Sequence, residues 1–184
     1  FAKLGAGLAT SLAVVGTTTQ LARLSDTMTN LENKIKSVTD STAKFQRAFQ
    51  GVKDVAVGTR SDLNATAALY SRIALNQKEI GISTRSTLRV VEIVNKALKV
   101  SGTAAGEATS AVLQFGQAIG SGRLQGDELR SIGENAPLIL KAIADSMGQP
   151  ISAMKKLGEE GALVNSVVLP ALLKAGDEID KKFA

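Results

Sequence analysis

The feature that most constrains this chain is a repeated interruption. Apolar side chains recur three and four positions apart along one stretch after another, and glycine with Ser, Thr or Asp separates most of the stretches. Side chains at that spacing share one face of a helix, because a turn takes 3.6 residues. A chain built this way folds as short helices laid back on one another, not as one rod. The first such stretch runs from Gln20 to Val38, with Leu21, Leu24, Met28, Leu31, Ile35 and Val38 alternately three and four apart. This is nearly a heptad seam. It is shorter than the three to four repeats that mark a coiled coil, so an amphipathic helix on the chain's own domain is preferred over a seam for a partner helix.

The remaining segments carry their own punctuation. Asp40 and Ser41 are placed to cap a helix with a stripe of Phe45, Phe49, Val52 and Ala56, and Gly58 is the expected stop. Ser61 or Asp62 opens a helix whose buried side is Leu63, Ala67, Tyr70, Ile73 and Ala74, ending at Gly81. Ser83 or Thr84 opens the next, with Leu88, Val91, Val94 and Leu98 on one face, a Glu92–Lys96 pair four apart, and Gly102 as stop. Thr103 is the expected cap of a helix marked by Ala108, Val112, Phe115 and Ile119. Further helices are expected near Asp127–Asn135, from Pro137 to Met147 with Gly148 as its stop, and from about Ser152. In the last segment Pro170 must sit in the first turn or kink the helix. Strand signals are thin: Val167–Leu169 is too short to count. The fold class is all-α, a compact multi-helix domain of about eight helices with short glycine-punctuated links and an N-terminal amphipathic helix. We divide the chain into residues 1–39, a small-residue apolar segment leading into that helix, and residues 40–184, the helical domain.

Composition narrows the chemistry. Aromatic residues are 3% of the chain, with Tyr70 the only tyrosine and no tryptophan, so single-stranded nucleic acid would find no stacking platform. There is no cysteine and no histidine, which removes thiolate nucleophiles, Ser-His-Asp machinery and nearly all zinc sites. The net charge of +5 is spread without a basic block. It reads as a solvated surface before it reads as attraction to DNA, to a phospholipid surface or to an acidic protein lumen. Contacts to DNA phosphates would weaken steeply with salt, and no specific nucleic-acid site is expected. From Leu4 to Val15 the chain is apolar apart from Gly5, Gly7, Thr10 and Ser11, too short to span a bilayer and only weakly like a secretory signal. It motivates contact with a host membrane, the property of a colicin-like membrane-active module.

The glycine-rich insert from Gly116 to Pro137 has three readings. Gly120, Gly122 and Gly126 before a helix start could cradle an anion. However, the Lys–Ser/Thr pair and preceding strand of a phosphate loop are missing, and Asp127 and Glu128 put negative charge where phosphate would sit. Asp127, Glu128 and Glu134 could serve acid–base chemistry, as in a wall hydrolase, but Glu128 and Glu134 are six apart and diverge on a helix. The third reading is a corner: Gly120 ends one helix, Ser121–Gly126 connect, Asp127 caps the next, and Leu124, Leu129 and Ile132 anchor the corner in the core. The corner is preferred. No catalytic, cofactor-binding or metal-binding residue is assigned, and no cofactor is expected.

The same region carries a resemblance. The phrases QAIGSGRLQGDEL, ENAP, IADSMG and KKLGEEG follow one another between Gln117 and Gly161, with LNATAALYSRI and IVNKALKVSG upstream. Together they resemble the tape-measure domain of tailed bacteriophages and prophages, over roughly Asp40 to Leu173. The resemblance implies a structural scaffold for tail assembly and tail-length determination that leaves the tail ahead of the DNA. It implies tail tube, tail-tip and tail assembly chaperone proteins as partners, and the virion tail lumen, after the host cytoplasm during assembly, as location. A ruler works by length, and all 184 residues as one helix would reach only about 280 Å. The expectation is therefore a folded module of a longer ruler. Self-association is a further expectation, with Val91, Val94, Leu98, Val112 and Phe115 shared between chains.

Overall fold

The computed structural model describes residues 26–184, and all of the regular structure in that span is helical. The described part of the first helix, α1, is 26–36. It is followed by α2 (Thr42–Gly58), α3 (Leu63–Leu75), α4 (Gln77–Ile80), α5 (Thr84–Val100) and α6 (Ala105–Ser121). Then come α7 (Gly126–Asn135), α8 (Pro137–Ser146), a 3₁₀ turn (Ile151–Ala153), α9 (Met154–Glu159) and α10 (Asn165–Phe183). The long helices α1, α2, α3, α5, α6, α7, α8 and α10 match the expected number of about eight; the short helix expected from about Ser152 is the 3₁₀ turn with α9, and α4 is a single-turn addition.

Helix α5 is the hub. It packs against α2, α3, α6, α8 and α10, and Val90, Val91, Ile93, Val94, Ala97 and Leu98 are all buried along it. Helix α3 runs along α6, while α7 joins α6 to α8 and α9. Helix α1 contributes Leu31 and Ile35 to the same core, and the Ser71 hydroxyl of α3 donates to Lys34 O at 3.1 Å. The core is almost entirely aliphatic, with Tyr70 and Phe115 its largest side chains. Val91, Val94, Leu98, Val112 and Phe115 are 0–4% exposed within one chain. The expectation that copies share them is thus corrected: the chain's own helices cover that surface.

The punctuation follows the sequence at most junctions. Ser41 accepts from Lys44 N, Asp62 from Ala65 N and Ser83 from Ser86 N, each closing a helix start. Outside the glycine-rich insert, four junctions differ. Gly58 is the last helical residue of α2, and Arg60 takes the left-handed turn at φ 52°. The α3 segment ends at Leu75, before Gly81, because the Asn76 side chain donates to Arg72 O (3.1 Å) and competes with continuation of the helix. Thr103 does not cap α6; its hydroxyl donates to Asn135 O at the end of α7. Pro170 stands one turn inside α10, on its exposed side, so the helix neither begins there nor stops there. Leu21 and Leu24 of the expected first stripe, and the apolar stretch Leu4–Val15, lie outside the described residues.

Candidate functional site

The glycine-rich insert is a corner, with its boundaries moved. Helix α6 continues through Gly120 to Ser121, and Gly122 ends it at φ 93°, a conformation open to glycine because it has no Cβ. The next residues lie alongside the loop before α10. Leu124 N donates to Leu163 O (2.8 Å), Asn165 N donates to Gly122 O (3.0 Å), and Arg123 and Val164 form an antiparallel bridge. The buried Asn165 side chain adds a bond from Nδ2 to Ile119 O at 2.8 Å, taking up a carbonyl at the end of α6. Leu124, Leu129 and Ile132 are buried as expected. Helix α7 begins at Gly126 with Gln125 at the cap position, so Asp127 belongs to the first turn and is not the cap.

The acidic residues of the corner do not converge. Asp127 pairs with Arg130 at 2.9 Å in open solvent, and both side chains are mostly exposed. Glu134 is exposed about two turns beyond Asp127, and Glu128 is half-buried. Among the described residues no group of three acidic side chains could hold a metal ion. The hydrogen bonds of this corner hold helices together.

A second cluster escaped sequence reasoning. The Glu92–Lys96 pair is present, but it is half of a four-residue network. Asp180 of α10 receives Arg89 on both carboxylate oxygens and Lys96 at 2.8 Å, while Arg89 also holds Glu92 at 2.9 Å. Hydrogen bonds from Arg89 hold the Asp180 carboxyl below its ordinary range, against partial burial, with Lys96 adding to the effect. Burial pushes Glu92 upward, and the bonds from Lys96 and Arg89 outweigh it, so its carboxyl also lies low. The Lys96 ammonium lies 5.4 Å from the centroid of the Phe183 ring, a further tie to the end of α10. At Gly176 the two helices come so close that a Cβ would stand 2.9 Å from Arg89 Nη2 and 3.0 Å from Ile93 Cδ1. The advance signal was the Glu92–Lys96 spacing; no short-range pattern pointed to Asp180, far from α5 in sequence.

Hydrogen bonds, ion pairs and close glycine contacts here fasten helix to helix around an aliphatic core. They define the class: a helical structural module. Within that class, the family model described as tape measure protein matches residues 19–184, and the chain belongs to that family, a structural family of the phage tail. Comparison with curated proteins and with solved structures found no match. Among the described residues no helix is long and apolar enough to cross a membrane.

Proposed function

We propose that this module is a folded part of a longer tail ruler and serves as a structural scaffold in tail assembly and tail-length determination. The carrying observation is the family match over residues 19–184. The compact fold supports the division of labour. Helices that turn back at every junction contribute little reach, whereas a ruler gains about 1.5 Å for each helical residue. The module's work is then to be recognised by tail tube, tail-tip or assembly chaperone proteins, in the host cytoplasm while the tail is built and in the tail lumen afterwards. It carries no catalysis of its own in this reading, and aid to genome delivery at the host envelope falls to the segment containing Leu4–Val15.

The test is an in-frame deletion of residues 40–184 from the phage that encodes the chain, scored by electron microscopy of the lysate. The expected result is loss of assembled tails. Normal assembly with tails shorter by about 220 Å, the length of the deleted residues as helix, would make the segment part of the ruler itself. Liposome leakage with and without residues 1–16 tests the envelope role, and equal leakage ends it.

A further inference from the structure

The directions of four helices place both ends of the described chain at one pole of the bundle. In the second half of α5, Asn95 Nδ2 donates to Thr66 Oγ1 (3.1 Å), near the start of α3, and to Thr59 Oγ1 (3.4 Å), in the α2–α3 link. Lys99 lines a cleft with Arg60 and Ser61 of the same link. At the opposite end Gln77 of α4, just beyond α3, donates to Thr87 Oγ1 early in α5 at 2.6 Å. Helices α3 and α5 are therefore antiparallel. Helix α1 runs parallel to α3: Lys34 O receives the Ser71 hydroxyl, and residues 37–40 line a cleft with Ala74, Leu75 and Lys78. Residue 26 lies about 12 Å back along α1, toward the start of α3. Helix α10 runs parallel to α5, since Gly176 lies against Arg89 and Ile93, while Lys96 Nζ lies 5.4 Å from the Phe183 ring centroid. The start of the described part of α1 and the end of α10 thus share the pole of the α2–α3 link. The far pole holds residues 37–40, α4 and the end of α6, where Asn76 Nδ2 donates to Ile119 O at 3.3 Å and Asn165 opens α10.

We propose that tension along the chain peels the module open from this pole. Force between two points at one pole acts across the helix axes. The contacts of α10 on α5 then carry the load one row at a time. Phe183 leaves Lys96 first, then Asp180 leaves Arg89 and Lys96, and then Ile179 and the close approach at Gly176 give way. Force between opposite poles acts along the axes and loads the whole face of α10 at once. Packing contacts are weak singly and strong together, so the second direction resists far more than the first. Once α10 is peeled, the core that Val168, Leu169 and Leu172 close is open. The module can therefore be stable at rest and still yield to a pull, because forced unfolding follows the barrier to unfolding and not the equilibrium stability. This rests on the reading of the module as part of a longer chain, which supplies the tension.

The test is single-molecule force spectroscopy of the 184-residue chain, which has no cysteine of its own to compete with introduced handles. One variant carries Asp26→Cys with Ala184→Cys, both at the shared pole. The other carries Asp40→Cys with Ala184→Cys, at opposite poles. All three positions are exposed, so both variants should melt at the parent's temperature. At equal loading rate the same-pole pair is expected to unfold at no more than half the force of the opposite-pole pair. A same-pole force above that half would overturn the proposal. The measurement is made on the isolated chain, so its outcome is independent of the tail-assembly test. Low same-pole force together with normal tails after deletion of residues 40–184 would refute the tail reading and leave the peeling geometry standing.

Discussion

At the scale of single residues, the chain's punctuation is chemical and mostly local. Ser41, Asp62 and Ser83 act where their sequence context places them, because a cap needs only the amides two and three residues ahead. Thr103 has the same local credentials but is drawn off by Asn135 O, thirty-two residues away. Gly120 and Gly122 look equivalent on paper, yet only Gly122 adopts φ 93°. Gly122→Ala should therefore cost about 1–2 kcal/mol, the penalty of a left-handed L-residue. Gly120→Ala, in a helix with only the end of the Arg72 side chain to displace, should stay within about 0.5 kcal/mol of the parent. Urea-unfolding midpoints of the two variants measure the difference, and reversed costs would move the corner back to Gly120.

Between elements, the junction of α5 and α10 is where charge and packing coincide. Asp180 is about one-third exposed at the side chain, so solvent screens the network and its worth is modest. Asp180→Asn should cost up to about 1 kcal/mol at neutral pH, and less in high salt. Because Asp180 and Glu92 both titrate below their ordinary range, their contribution is present in full above the unfolded carboxylate pKa, near pH 4. It is lost as pH falls further through the folded values. Melting temperature followed from pH 6 to pH 2 should thus fall more steeply for the parent than for Asp180→Asn, and parallel curves would remove the network from the stability account. Pro170 offers the opposite change. It withholds the amide that would bond Ser166 O one turn back, on an exposed face. Pro170→Ala should raise stability by about 1 kcal/mol or more, read as a higher melting temperature by circular dichroism.

For the molecule as a whole, α10 is the closing element. It buries Val168, Leu169, Leu172 and Ile179 and lies along α5 and α8. At about 1.5–3 kcal/mol for each fully buried aliphatic side chain, these four alone approach the 5–15 kcal/mol by which domains are stable. A chain ending at Val164 should therefore retain helical circular dichroism but lose its cooperative thermal transition. A sharp transition in that truncated chain would show that the rest folds without α10.

The all-α class, the set of long helices and most of the buried stripe could be read from residue order, because helical periodicity and caps act over a few neighbouring positions. Val91, Val94, Leu98, Val112 and Phe115 were legible as apolar faces, but not as faces meeting one another. Which helices touch, where Asp180 finds Arg89 and Lys96, why Thr103 abandons its helix and how Asn95 comes to face two threonines were settled by chain closure. Those contacts join residues many turns apart. Their free energy arises only once the whole set of helices is assembled, so no short window of sequence contains it.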